Sequence, residues 1–581
     1  MQTNRGTPEP SVPLSAVLLA AAVGLAWYLL HGGGGTLNPL EDGWLQSEDL
    51  SQHYLGWLHF RRAPWSWPIG RLPNLGYPVG TTVGFMDANP WLCLLFRPWT
   101  DWLPLRFQFQ GLWLASCYAL LATCSFLTAT CLTRDRPSQW LLAALVTTAP
   151  SALLRVCHEN LAAQWFIVAG LYWCLRPGVA AGASVDAAAT AAGRREARRC
   201  VASCCLLFAW SIGTHAYLTA MATPLWLAAI ARRAWVDCSL SPRAALGAYA
   251  GIGALGVALL FALGFVGTGV SQTEPGFGSQ VADLTALINP VGWSRVLPDW
   301  PRTGDQFEGF CYLGLGSLLL VSVALGQRLC GRRPRAGDAS PVSVMWRPLA
   351  AMAMACACFA ISDTVWLGGR VLFSLRPWTE PVLGLLGIFR ASGRFLWVSQ
   401  YVLVFGCAAF VLRVWPAARA RWLLAACLLL QLADLKPVDV REKLVRREPS
   451  PLASPVWRAM GRHYQHLAMV PAFFPSNQRD CAWHYRWGTH VPFSFAAYDA
   501  DMTFNSNYAG RADGTAIGAA CRTFRQALAA QQFDDDTVYV VAEEAKADFA
   551  DGARLRCEKV DAWWLCVTRA DKPTDLFGSL R

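Results

Sequence analysis

The sequence predicts a mainly α, polytopic transmembrane helix bundle followed by a soluble C-terminal α/β domain. Three observations carry that expectation. Of 581 residues, 54% are hydrophobic and only 15% charged, with a mean hydropathy of +0.29; an average soluble domain carries about a quarter charged residues. The apolar residues fall in long runs separated by short basic links, which is how membrane helices read. Beyond residue 440 charges become frequent and the long apolar runs stop. Disorder is excluded by the same apolar balance. The 28 Trp, 34 Pro and 48 Gly exclude coiled coil and collagen.

About eleven spans are expected, each roughly long enough for a hydrocarbon core of ~30 Å. They lie near 13–31, 106–131, 139–156, 160–176, 200–214, 216–231, 245–266, 311–328, 346–362, 395–413 and 420–434. The fifth and sixth are short, and Gly213-Thr214-His215 reads either as a boundary between them or as a kink inside one helix. The first run follows Arg5 and resembles a signal peptide, but its apolar core is long and Gly32 to Gly35 offers no small-x-small cleavage site. It is read as an uncleaved anchor.

Orientation follows from the arginines. With the N-terminus in the cytoplasm, the links 132–138, 177–199, 232–243, 329–345 and 414–421, which hold Arg134, Arg198, Arg233, Arg332 and Arg419 among others, all fall inside. The loops 32–105, 267–310 and 363–394 then fall outside, as does the region 440–581. Merging the fifth and sixth spans would turn the later basic links outward, so they are kept separate. The net charge of +11 is thereby spread over membrane links. It does not form the one basic surface that a nucleic-acid partner requires. The chain divides into a transmembrane domain, 1–439, and an exported α/β domain, 440–581. In the latter, Thr537–Val541 reads as a buried strand and 514–531 as an amphipathic helix opening after Asp513.

Most of the 20 Cys lie within apolar spans, where they serve as small buried hydrophobes. Cys481, Cys521, Cys557 and Cys566 lie in the exported domain, where an even number suggests disulfides. Leu555–Val560 and Trp563–Thr568 read as a hairpin around Asp561-Ala562. That register sets Cys557 opposite Cys566 at a Cα separation of ~4.5 Å, within disulfide range. Cys481 and Cys521 are left to pair by subtraction.

The loop 32–105 is far longer than the roughly two to eight residues a connector needs, and loops of this kind carry sites. Its acids Asp49 and Asp87 are the candidates for catalysis, because a carboxylate at a membrane boundary can accept a proton or hold a metal. The competing reading is a solvated acid or a helix cap. His53, four residues beyond Asp49, shares its helix face and can orient it or bind phosphate; a lone His is also often structural. Glu308 and Asp363 lie near outer span ends and are either functional acids or members of a cap or ion pair. Asp499-Ala500-Asp501 is read as a chance match to a nucleotide-sugar motif. Walker, Gly-x-Ser-x-Gly and His-Glu-x-x-His strings are absent from the sequence.

The string Asp49-x-x-Gln52-His53-x-x-Gly56-Trp57, followed by Phe60-Arg61, is similar to a poorly characterised family of bacterial polytopic membrane proteins. So are Phe107-Gln108-x-x-Gly111-Leu112-Trp113, Glu308-Gly309-x-x-Tyr312-Leu313-Gly314-Leu315-Gly316 and Phe389-Arg390-Ala391-Ser392-Gly393-Arg394-Phe395. Met502-Thr503-Phe504-Asn505-Ser506-Asn507-Tyr508 extends the likeness to the C-terminal region. With its long first outer loop and an acid just beyond the first span, the chain resembles the GT-C class of integral-membrane glycosyltransferases. That resemblance implies a bacterial inner-membrane enzyme moving a sugar, with inversion, from a polyprenyl-phosphate donor. The acceptor, a glycan, lipid or protein, enters from the periplasmic side. It implies Asp49 or Asp87 as base or metal ligand, with a divalent metal left open. Gln52, His53, Arg61 and Glu308 then lie toward the substrates, and Arg390 and Arg394 hold the departing phosphate. The rival for the arginines is contact with lipid headgroups. The rivals for the whole chain are a transporter of lipid-linked glycans and a non-catalytic scaffold for envelope polysaccharide assembly.

Overall fold

The computed structural model describes residues 12–46, 48–178, 187–270, 276–333, 341–447, 449–474, 488–549, 554–569 and 576–577. Among these, five helical stretches are long and apolar enough to cross a membrane: Leu14–Gly33, Gln110–Thr130, Pro242–Ala262, Val344–Ile361 and Ser392–Val414. Arg136–Thr147 with Pro150–Cys157, bent by 48°, makes a sixth if counted as one span. This is fewer than the eleven read from the sequence. Trp165–Leu175 and Leu315–Leu329 have only 11 and 15 residues, short of the roughly 20 a span needs. Ala417–Asp434 carries Arg419, Arg421 and Asp434, and Ala216–Trp235 carries Arg232 and Arg233. Apolar runs in the sequence extend past the helices into the turns that end them.

The break at Gly213-Thr214-His215 separates two helices, Ala187–Ile212 and Ala216–Trp235, that pack on each other. His215 caps the second: its Nδ1 accepts the Tyr217 N–H at 3.2 Å. Helix packing is close elsewhere too. A Cβ on Gly24 would stand 2.1 Å from the Tyr118 carbonyl oxygen, so only glycine lets Leu14–Tyr28 approach Gln110–Thr130 as it does.

The loop 32–105 is built around one helix, Glu48–Arg62, almost entirely buried from Leu50 onward. A second helix, Pro90–Phe96, is capped by Asn89, whose Oδ1 accepts Leu92 N–H. The C-terminal region forms a five-stranded mixed sheet in the order Thr503–Phe504, His466–Val470, Thr537–Val541, Trp563–Thr568, Leu555–Val560. The first three strands run parallel and the last two join antiparallel. Gly514–Ala529 is a helix with Asp513 at its N-cap. The hairpin register pairs Cys557 with Cys566 and a disulfide joins them, Cα atoms 4.1 Å apart. Cys481 lies outside the described residues, and so does any account of its pairing with Cys521.

The sheet domain is seated on the first loop. Tyr77 N–H donates to Phe504 C=O and Phe504 N–H to Asn74 C=O, both at 2.9 Å, so the loop extends the sheet edge. The two acids of Asp499-Ala500-Asp501 have a structural use: Asp499 pairs with Arg106 at 2.7 Å and Asp501 with Arg62 at 3.2 Å. One hydrophobic core continues from the membrane helices through Trp57 to Phe504 and Val538.

Candidate functional site

The site forms where the first loop, two helix ends and the C-terminal domain meet. Asp87 sits at its centre. Its backbone is left-handed, φ 50°, a conformation Asp and Asn tolerate better than most residues. Asn160 Nδ2 fixes that turn by donating to the Asp87 carbonyl at 2.5 Å. Gln52 Nε2 donates to the Phe85 carbonyl at 3.3 Å from the other side. The Asp87 side chain keeps 28% of its surface exposed, though its surroundings are dense. Burial pushes it up to about 6, against the pull of His53 and Arg394.

Three imidazoles face it. His158 Nε2 lies 3.9 Å from Asp87 Oδ2 and His215 Nε2 lies 3.7 Å from Oδ1. Because His215 Nδ1 accepts a backbone N–H, its proton is on Nε2 and faces Asp87. Burial, then nearby positive charge, lowers both histidines well below the ordinary value, so both are neutral. His53 is fully buried, and its Nδ1 pairs with Glu159 Oε2 at 2.5 Å. Burial lowers its basicity, but the Glu159 carboxylate outweighs this and raises its pKa. His53, Asp87 and His158 each offer a ligand atom, all within 4.8 Å of one another.

Asp49, in the first turn of Glu48–Arg62, is near enough to raise Asp87 and His53 electrostatically. Gly510 of the C-terminal domain closes the roof. Its N–H donates to Phe85 C=O at 2.7 Å, and a Cβ there would lie 3.7 Å from Asp87 Oδ2. Burial, reinforced by Asp49, pushes the nearby Tyr508 hydroxyl up to about 12.

A charged wall stands beside this group. Glu308 pairs with Arg394 at 2.6 Å and Arg155 at 3.1 Å. Burial pushes the Glu308 carboxyl up, but the two arginines outweigh it and hold it well below the usual range. Arg390, half-buried four residues before Arg394, has no hydrogen bond or ion pair among the described residues.

Of the residues singled out by sequence, the fold therefore brings together Asp49, His53, Asp87, Glu308, Arg390 and Arg394. Gln52 supports the Asp87 turn. Arg61 is placed elsewhere: its guanidinium donates to the carbonyls of Thr100, Leu103, Pro104 and Leu105 and clamps that turn. Asp363 pairs with Arg376 and accepts the Thr379 hydroxyl. Sequence reasoning missed Arg155, His158, Glu159 and His215. The string His158-Glu159-Asn160, polar residues between two apolar runs, was the available signal.

The family model described as Domain of unknown function (DUF6311) matches residues 21–436, and that of the DUF6311 C-terminal domain matches residues 456–568. No curated protein matches the chain in sequence. Similar solved structures include the archaeal oligosaccharyltransferase AglB from Archaeoglobus fulgidus in complex with an inhibitory peptide and a dolichol-phosphate. It is 11% identical, with 97% of this chain and 76% of that one covered and a TM-score of 0.41. Another is the Archaeoglobus fulgidus oligosaccharyltransferase in complex with Zn and sulfate. It is 12% identical, with 84% of this chain and 62% of that one covered and a TM-score of 0.36.

Proposed function

We propose that this chain, which belongs to the DUF6311 family, is a membrane-embedded glycosyltransferase of GT-C type. It takes a sugar from a polyprenyl-phosphate donor and passes it to an acceptor hydroxyl or amide that enters beneath the C-terminal domain. The observation that carries this reading is the juxtaposition of two sets of groups at one membrane boundary. Asp87, with Asp49 and three imidazoles, forms a proton-accepting side; Arg390, beside the Arg394–Glu308–Arg155 cluster, forms a phosphate-accepting side. In an in-line displacement the acceptor atom bonds to the anomeric carbon as the carbon–oxygen bond to phosphate breaks, inverting the centre. The acceptor proton passes to Asp87 or Asp49. The charge gained by the lipid phosphate is met by Arg390. Arg394, already bound to Glu308, holds the wall in place.

His53, Asp87 and His158 fit a divalent ion. Among the described residues His53 Nε2 is buried without a partner, and Glu159 fixes the opposite ring nitrogen, as carboxylates do for metal-bound imidazoles. An ion held there would supply Lewis-acid charge at the proton-accepting side of the site.

Asp87→Asn and Asp49→Asn, singly and together, test the reading through glycolipid or polysaccharide output of cells, with membrane abundance measured alongside. Asn keeps the left-handed turn at 87, so abundance should hold. Loss of the general base should cut output about 10²–10⁴-fold. Full output from the double variant at normal abundance would leave a transporter or a scaffold as the better account.

A further inference from the structure

The spanning helices that end at Ile361 and begin at Ser392 are joined by a segment of a different kind. It is an antiparallel hairpin, Thr364–Leu367 with Arg370–Ser374, followed by the short helices Arg376–Thr379 and Leu383–Leu386. Its surface is unsuited to water. Leu372, Phe373, Trp378 and Leu385 are 52%, 53%, 81% and 70% exposed. All five residues of the second strand are exposed, so apolar side chains project from both faces of the hairpin. Between 364 and 389 the charged residues are Arg370, Arg376 and Glu380. Exposed in water, a two-sided apolar strand is an aggregation hazard that soluble folds blunt.

The segment is firmly attached. Trp366 Nε1 donates to Gly278 C=O at 3.0 Å, and Leu284 N–H donates to Trp366 C=O at 3.0 Å. Gly369 N–H donates to Asp283 at 3.1 Å and Arg376 to Phe277 C=O at 2.7 Å. The apolar faces are thus held outward by a fixed frame. The tether lengths say what they face. Thr364 follows Ile361 by three residues, a reach of at most about 10 Å. The headgroup layer on one side of a bilayer is itself roughly 5–8 Å deep. A tether of that length keeps the hairpin base within reach of the headgroup layer. Trp378 with Arg370 and Arg376 is the composition of an interfacial anchor.

We propose that residues 364–386 form an interfacial wedge seated in the lipid leaflet on the site's side of the membrane, its occupant the acyl chains of phospholipids. The wedge holds the following turn, with Arg390, at the level where a membrane-borne phosphate travels. The wedge is argued from exposure, attachment, tether length and composition; only its bearing on Arg390 rests on the proposed transfer.

The test is photo-crosslinking of the full chain in nanodiscs of phosphatidylethanolamine and phosphatidylglycerol. Leu372, Trp378 or Leu385 is replaced, one at a time, by p-benzoylphenylalanine. Met354, on a spanning helix and 65% exposed, serves as the lipid-facing reference, and Gln526, on the exposed face of the C-terminal helix, as the water-facing one. Irradiation should add the mass of one phospholipid at 372, 378 and 385, as at 354, with no such shift at 526. The proposal is overturned if the three positions behave like 526, or if they yield chain-to-chain adducts, which would assign the surface to a second copy. Either result leaves the Asp87 and Asp49 output measurements unaffected.

Discussion

Glu308 is the residue on which two buried cations depend. Arg155 and Arg394 are 2% and 10% exposed, and both end on its carboxylate. Glu308→Gln removes the charge and keeps the shape. Breaking a buried ion pair by deleting one partner costs about 3–5 kcal/mol. The loss here should lie near the lower figure, because Glu308 is 21% exposed. The expected outcome is a clear fall in the thermal midpoint of the detergent-solubilised protein. An unchanged midpoint would show that the arginines find other partners. Glu159 differs in kind. Glu159→Gln should loosen the His53 ring, and with it divalent-ion affinity, by about 10–100-fold, measurable by calorimetry with the thermal midpoint recorded alongside, because this pair is buried too.

At the scale of the element, helix Glu48–Arg62 joins the first loop to the C-terminal domain. His59, buried on it, bonds through Nε2 to the Ser494 carbonyl at 3.1 Å. Burial lowers its pKa to about 4, with Arg62 adding to the shift and the Ser494 carbonyl opposing it. The unfolded chain takes up this proton below about pH 6.5, whereas the folded one refuses it until about 4. The contribution is therefore complete above pH 6.5 and is lost as pH falls through that window, by up to about 3 kcal/mol. His59→Gln should flatten part of the fall in thermal midpoint between pH 7.5 and 4.5. Equal slopes in both proteins would remove His59 as its cause.

For the whole molecule, the arginine-rich links predict the N-terminus in the cytoplasm and the C-terminal domain across the membrane. Reporter fusions after Arg233 and after Arg441 should read inside and outside respectively. The opposite reading at Arg441 would place the site and the disulfide of Cys557 and Cys566 on the reducing side and end the case for a donor used outside the cell. The structure makes the orientation matter, because the same domain that carries the disulfide also supplies Gly510 above Asp87.

What the sequence determined by itself was mostly local. The hairpin Leu555–Val560 with Trp563–Thr568, the strand Thr537–Val541 and the cap at Asp513 follow from two- and four-residue periodicities and turn chemistry. The membrane character follows from composition. Asp49, His53 and Asp87 stood out because a long loop needs a reason. The tertiary structure decided the rest. Fewer helices than apolar runs are long and apolar enough to span by length and composition, because some runs fold as short helices and others carry charges at their ends. Glu159 lies 106 residues from the His53 it orients, and Arg155 lies 153 from Glu308. Such pairs have no signature in spacing, because buried charges choose partners by packing across the whole chain rather than along it.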